Sequence, residues 1–364
     1  MNEASLMKLA LSLAEKGRGY VSPNPMVGAV IYKKGKVISA SYHERAGESH
    51  AEAKAIEKAG NDAKDSTLFI NLEPCVHWGK TPPCVDKIVN AKIKKVFIST
   101  PDQNPLVKGE GIERLKNEGI DVFVGLFKRE SIELNEVFFK FITKKIPFIT
   151  VKAAISVDGK MATSSGESKW IGNELSRNYA HLLRGEYDAI MVGIGTILKD
   201  NPLLTIRHKT WEDKKIVRII LDSNLRINPD FKIFSTLGRG KLIIFTKKFN
   251  EEKRIEIFKQ NNVEIIGVNE KNGKLDLNEI FRKIAEKDIT SVLIEGGSSL
   301  ISSVMKERIA DRLILFVSPR LIGGINAPSL FGNVGYKDLK EALSLKKVTS
   351  FSLNCDTVFI GYFN

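Results

Sequence analysis

Two of the chain's three cysteines, Cys75 and Cys84, lie in the stretch LEPCVHWGKTPPC with eight residues between them, and each follows a proline. One of its five histidines, His50, stands with Ser49 and Glu52 at the start of an Ala-rich stretch, GESHAEAKAIEKAG. An imidazole and two thiolates suit zinc, which catalytic sites hold with three protein ligands and one open position. Water in that position has its pKa lowered to about 7, so hydroxide is on hand near neutral pH. The prolines before Cys84 fit the first turn of a helix, where free N–H groups favour a thiolate. Two steps along a helix rotate a side chain by about 200°, so His50 and Glu52 converge only at a helix end. There Glu52 would take a proton from water and give it to a leaving amine. The alternatives are a first-turn carboxylate that only favours the helix dipole, and a closed structural site with His77 as fourth ligand.

The elements that must position these groups follow from periodicity. The first 145 residues alternate helix (3–17, 50–59, 84–91, 109–118, near 129–140) with strand (27–32, 36–42, 67–72, 95–100, 120–124). The opening MNEASLMKLALSLAEKGRGY carries acidic residues, and Leu6, Leu9, Ala10 and Leu13 follow helical spacing, so it reads as a first helix rather than a signal peptide. A basic stretch with a proline, KFITKKIPFITVK, marks a boundary, dividing the chain into 1–146 and 147–364. Beyond it, FITVKAAIS, AIMVG, VRIILD, KLIIFT, VEIIGV, SVLIEG and RLILFVSPRLI read as strands, rich in Ile and Val as strands buried on both faces are. The expected architecture is two α/β domains. Three cysteines are too few for a secreted disulfide framework, which points to a reducing cytoplasm. Cys355, in LNCDTVFIGYF, reads as a buried thiol in a terminal strand. No apolar run of about 18 residues predicts a membrane span. The net charge of +13 would attract anionic ligands, but the lysines are spread along the whole chain.

In the second half, VLIEGGSSLISSVM has the form strand, Glu, Gly-Gly-Ser-Ser, helix, a turn able to cradle a phosphate or merely to start a helix. GIGTIL at 193–198 carries two of the three glycines of the dinucleotide fingerprint, with Leu198 in place of the third, and is not a Rossmann signature.

The order His-Ala-Glu, Pro-Cys, then a later Cys is that of zinc deaminases acting on bases, with eight residues between the cysteines where the general pattern has two. That longer loop, with YVSPNPMVGAVI upstream and TPDQNPLVKGEGIERL downstream, closely resembles the bifunctional riboflavin biosynthesis deaminase–reductase family, RibD. The resemblance continues through VKAAISVDGKMATSSGESKWIG, MVGIGTILKDNPLLTIR and IILDSNLRI, and so covers nearly the whole chain. It implies an N-terminal cytidine-deaminase-like three-layer domain over 1–146 and a C-terminal dihydrofolate-reductase-like domain over 147–364. By the same resemblance His50, Cys75 and Cys84 would hold one zinc per chain, with Glu52 the proton donor. Asn24 and Asn104 would lie near the deaminase pocket; where the family usually shows Asp-Pro-Asn this chain has Asp102-Gln103-Asn104. In the second domain Ala154, Trp170, Thr196, Asp200, Ser223 and the turn from Gly297 would contact NADPH. Ser168, Arg184, Leu204, Arg207 and Glu295 would contact substrate, the arginines through a guanidinium fork on a ribose phosphate. Lys152, Asp200 and Glu295 stay open as proton donors or orienting groups.

The implied chemistry is removal of the 2-amino group of 2,5-diamino-6-(phosphoribosylamino)pyrimidin-4-one, then reduction of the ribosyl group of the uracil product to ribityl. The resemblance further implies a cytoplasmic homo-oligomer with a phosphorylated pyrimidine substrate and no nucleic-acid or membrane partner. The rivals are a nucleic-acid deaminase, such as a tRNA adenosine deaminase, fused to an unrelated α/β module, and a non-catalytic zinc-stabilised binding protein. Against the first stand the long inter-cysteine loop and the lack of a basic cluster interleaved with aromatics.

Overall fold

In the computed structural model the side chain of Asn2 accepts the N–H of Ser5 at 2.9 Å and starts helix α1 (Glu3–Glu15). The structure describes residues 1–76, 83–105, 107–169, 171–248, 256, 258, 263–332 and 335–363. They form two units, Met1–Ile146 and Pro147–Asn364. In the first, α1 is followed by β1 (Gly28–Lys33), β2 (Lys36–Tyr42), α2 (Ala51–Ala59), β3 (Thr67–Leu72), α3 (Cys84–Asn90), β4 (Lys95–Thr100), α4 (Glu110–Asn117), β5 (Asp121–Val124), α5 (Lys128–Leu134) and α6 (Glu136–Lys144). The sheet order is β2-β1-β3-β4-β5. Its first three strands pair antiparallel and its last three parallel.

Side chains alternate across the strands. Val30 and Phe69 meet Leu6, Met7 and Ala10 of α1 on one face. Ala29, Ile31, Leu68 and Ile70 meet Ala51 and Ala55 of α2 and Val85 and Ile88 of α3 on the other. Helices therefore cover both faces, giving three layers. The buried stripe of α1 is Leu6, Met7, Ala10 and Ala14; Leu9 and Leu13, expected within it, lie at its margin. Gly28 lets α1 lie close, since a Cβ there would meet the Ala10 carbonyl oxygen at 2.0 Å. The single helix expected near 129–140 is two, broken at the buried Asn135. Its amide accepts the Met26 N–H at 2.7 Å and donates to the Met26 carbonyl at 2.9 Å, satisfying backbone that no strand serves.

The second unit holds β6 (Phe148–Ser156), α7 (Glu174–Arg184), β7 (Ala189–Gly193), α8 (Ile194–Asp200), β8 (Val217–Leu221), β9 (Leu242–Lys247), β10 (Glu264–Val268), a small hairpin β11 (Glu270–Lys271) and β12 (Lys274–Leu275), α9 (Leu277–Ala285), β13 (Ser291–Ile294), α10 (Ser298–Lys306), β14 (Arg312–Ser318), β15 (Leu345–Leu353) and β16 (Asp356–Phe363). Nine strands form one sheet in the order β10-β9-β8-β7-β13-β6-β14-β16-β15. It is parallel from β10 to β14, and β16 and β15 close it antiparallel. The parallel strands are near-continuous apolar runs, as burial on both faces demands.

Two expectations are corrected here. RLILFVSPRLI is not a strand throughout: it ends at Ser318, because Pro319 has no N–H for a ladder. The backbone that follows bends so that Ile322 and Gly323 donate to the carboxylate of Asp158 at 3.1 and 2.7 Å. Cys355 is exposed rather than buried. Leu353 pairs with Asp356, so Asn354, at φ +55°, and Cys355 form a two-residue turn between β15 and β16. No helix among the described residues is long and apolar enough to cross a membrane.

Candidate active sites

His50 is the N-cap of α2 and Glu52 lies in that helix's first turn, so the two meet at a helix end. Cys75 follows β3, and Cys84 is the first residue of α3, with Pro83 before it. Their ligand atoms lie within 4.8 Å of one another, and they form the metal-type cluster found among the described residues. His50 Nδ1 is 3.1 Å from Cys84 Sγ and 3.7 Å from Cys75 Sγ, and the Cys84 N–H points at Cys75 Sγ from 3.4 Å. His77, the alternative fourth ligand, lies outside the described residues.

The three side chains shift one another's proton affinities. Hydrogen bonding from the Cys84 thiol, with that of His50, takes Cys75 down to about 4 against the opposing effect of burial. Its bond to Cys75 raises His50 to about 9. The adjacent Cys75 sulfur and burial push the Cys84 thiol well above its ordinary value. The cluster thus keeps protons where a divalent metal would displace them. Burial also raises the Glu52 carboxyl, with the His50 charge opposing. Glu52 is 3% exposed, and its buried Oε2 has no hydrogen-bond partner among the described residues. An orphaned carboxylate oxygen is costly to bury unless a ligand completes it. The donor set and this orphan fit zinc with a water and substrate at hand.

Asn24 reaches the cluster through a residue that the sequence reading missed. Its Nδ2 lies 3.1 Å from Nε2 of His43, whose Nδ1 faces the Ser49 carbonyl at 3.3 Å. Both bonds form when Nδ1 carries the proton. The buried His43 ring stands edge-on to His50, with centroids 5.4 Å apart, and burial lowers its pKa. The available signal was a second histidine in SASYHERAGESH, seven residues before the ligand. Asn104 is half-buried in a turn: its N–H donates to Asp102 at 2.8 Å, and its carbonyl accepts from Val107 and Lys108. The Gln103 departure leaves that turn formed. Glu73, also missed, accepts backbone N–H groups from Asp102 and Gly109 at 2.9 and 3.1 Å through Oε2 and from Ile112 at 3.1 Å through Oε1. It fixes the Asn104 loop and the start of α4 from the end of β3.

In the second unit a cavity of about 1350 Å³ opens at one edge of the sheet. Ala154, Thr196, Asp200, Ser223 and Gly297, expected at the cofactor, line it, as do Lys152, Ser168 and Glu295. Trp170 lies outside the described residues. Leu204 is buried and is not part of the lining. Arg184 does not present a free fork to a phosphate: Nε and Nη2 bind the two oxygens of Glu295 at 2.8 Å each, and Nη1 donates to the Thr205 carbonyl at 2.8 Å. The two parallel bonds expected on a ribose phosphate are made to a carboxylate instead. Burial would raise Glu295, but the charges of Arg184 and Lys152 hold it at about 2. Lys152 packs over the Phe316 ring at 5.2 Å, and burial lowers its pKa. Arg207 is exposed and lies 2.9 Å from Nε2 of His181, whose Nδ1 faces Arg184 at 3.3 Å.

Residues 147–359 match the family described as "RibD C-terminal domain", and residues 1–100 the "Cytidine and deoxycytidylate deaminase zinc-binding region". The chain is 43% identical over 360 residues to the riboflavin biosynthesis protein RibD of Aquifex aeolicus, covering 98% of this chain and 97% of that protein. It is 40% identical over 362 residues to the RibD of Actinobacillus pleuropneumoniae, covering 100% and 95%. Among solved structures it is similar to a diaminohydroxyphosphoribosylaminopyrimidine deaminase/5-amino-6-(5-phosphoribosylamino)uracil reductase from Thermotoga maritima. That likeness has a TM-score of 0.85 at 36% identity over 99% of this chain and 98% of the other.

Proposed function

The chain belongs to the RibD family of riboflavin biosynthesis proteins, with a deaminase and a reductase domain, and from that premise we propose how its residues divide the work. The first unit removes the 2-amino group of 2,5-diamino-6-(phosphoribosylamino)pyrimidin-4-one, and the second reduces the ribosyl group of the resulting uracil. His50, Cys75 and Cys84 would hold a zinc ion. Such an ion supplies Lewis acidity and lowers the pKa of water. Glu52 holds the proton: its carboxylate takes one from the attacking water and returns it to the departing nitrogen, which leaves as ammonia. Burial raises the Glu52 carboxyl, which strengthens it as the acceptor of the water's proton. Asn24, fixed by His43, offers an amide to the pyrimidine edge.

In the second unit the reaction takes its hydride from NADPH, for which Ala154, Thr196, Asp200, Ser223 and the turn at Gly297 line the cavity. Arg184 pins the Glu295 carboxylate at the cavity wall, while Lys152 sets an amine of lowered pKa on the same wall, positioned to give a proton to the opening sugar. Arg207, whose guanidinium is exposed, is the phosphate-binding candidate, since the fork of Arg184 is occupied.

The observation that carries this reading is the orphaned, buried Glu52 oxygen beside a three-ligand cluster. Glu52→Gln should bind zinc as the unaltered protein does yet release ammonia about a hundredfold to ten-thousandfold more slowly. Undiminished ammonia release would remove Glu52 from the chemistry.

A further inference from the structure

Helix α7 is held at both ends and along one side. Asp356 Oδ2 accepts the Asn173 N–H at 2.8 Å and the Ser176 hydroxyl at 2.6 Å, and Trp211 Nε1 donates to the Leu182 carbonyl at 2.9 Å. Ala180 and Leu183 pack on Ile314, Phe316 and Val358 of the sheet. His181 and Arg184, three positions apart on this helix, therefore project together from a fixed base. Arg184 reaches Glu295 at the cavity wall with two nitrogens and the Thr205 carbonyl with the third. Arg207 follows two residues after Thr205, behind the buried run Leu204, Thr205 and Ile206. Its side chain is exposed, and its one hydrogen bond among the described residues joins Nη2 to His181 Nε2 at 2.9 Å.

The His181 ring cannot serve both of its neighbours. Arg184 Nη1 lies 3.3 Å from Nδ1 and Arg207 Nη2 lies 2.9 Å from Nε2, and a guanidinium nitrogen only donates. A neutral imidazole has one lone pair to offer, so it accepts from one arginine and turns its N–H toward the other. Arg184 already has a carboxylate and a carbonyl as acceptors and stands at the longer distance, whereas Arg207 has no other acceptor among the described residues. The network is best satisfied with the proton on Nδ1 and the Nε2 lone pair directed at Arg207. Burial and the two flanking positive charges keep the ring from taking a second proton, so this acceptor persists at neutral pH. A free arginine side chain must freeze several rotatable bonds when it meets a ligand. Here the chain just before Arg207 is fixed through the Thr205 carbonyl and the guanidinium through His181. Nη2 keeps its second hydrogen and Nε and Nη1 keep theirs, so a fork remains for two phosphate oxygens.

We propose that His181 is a positioning residue for the reductase reaction: by accepting from Nη2 it holds the Arg207 guanidinium where that group receives the phosphate of the ribosyl substrate. This rests on the reading of Arg207 as the phosphate-binding group, and steady-state kinetics separate the two. NADPH oxidation by the full chain is followed with 5-amino-6-(5-phosphoribosylamino)uracil as substrate. His181→Leu should raise the KM for that substrate about tenfold while kcat and the KM for NADPH stay within about twofold of the unaltered protein. His181→Gln, whose carboxamide oxygen can accept from Arg207, should recover most of that loss. Arg207→Gln should raise the same KM at least as far, and the double variant should be no worse than Arg207→Gln alone, because one interaction underlies both effects. An unchanged KM in His181→Leu, additive losses in the double variant, no recovery in His181→Gln, or a joint fall in kcat and NADPH binding would overturn the positioning role while leaving Arg207 at the phosphate. If Arg207→Gln itself leaves the KM unchanged, the phosphate reading and this inference fall together.

Discussion

His181 sits between two guanidinium groups, with Arg207 at 2.9 Å from Nε2 and Arg184 at 3.3 Å from Nδ1. Burial and then those positive charges lower its pKa from 6.5 to about 4. The unfolded chain therefore takes up this proton first, and stability rises with pH across that window. The His181 contribution should be lost as pH falls from about 6.5 to about 4. His181→Gln should flatten this part of a profile of urea midpoint against pH; parallel profiles would show that the imidazole does not stay neutral. At this scale the clustering of His50, Cys75 and Cys84 was legible, because few residue types bind zinc and their order along the chain is restrictive. The Arg184–Glu295 pair was not: its members are 111 positions apart, and nothing local says that a guanidinium will meet a carboxylate before a phosphate. His43 was equally hidden, since its role depends on an amide 19 positions away.

Elements deliver these side chains by their ends. The N-terminus of α2 carries His50 and Glu52, that of α3 carries Cys84, and the end of β3 leads into Glu73 and Cys75. Glu73 extends that control to the loop bearing Asn104 by accepting three backbone N–H groups. Glu73→Ala should destabilise the protein by about 2 kcal/mol, because one buried and two partly buried backbone donors lose a charged partner, and should weaken substrate binding in deamination. Urea denaturation checks the first effect; a loss below about 0.5 kcal/mol would mean that the loop holds itself. Periodicity revealed most helices and strands because each has one or two apolar faces to bury. It failed where that cue is absent. β15 is largely exposed along its length and reads as no strand at all, and the turn at Asn354–Cys355 sits inside what looks like one continuous run. Asn135 breaks a helix to serve the backbone of Met26, a contact 109 positions away.

Across the molecule, a net charge of +13 suits a protein whose ligands carry phosphates, and Lys199, Arg226, Lys271, Lys274 and Lys306 gather part of it around one cavity. Each unit has its own sheet and its own core. Under the proposed division, the oxygen-for-amine exchange made by the first unit yields the compound that the second reduces. The most direct measurement supplies the zinc-loaded chain with the diaminopyrimidine ribosyl phosphate, with and without NADPH, and identifies the products by mass. Without NADPH the account predicts a product in which one amine has become oxygen, with matching ammonia; with NADPH, the same product carrying two further hydrogens on the sugar. An unchanged substrate, or reduction without loss of the amine, would contradict it.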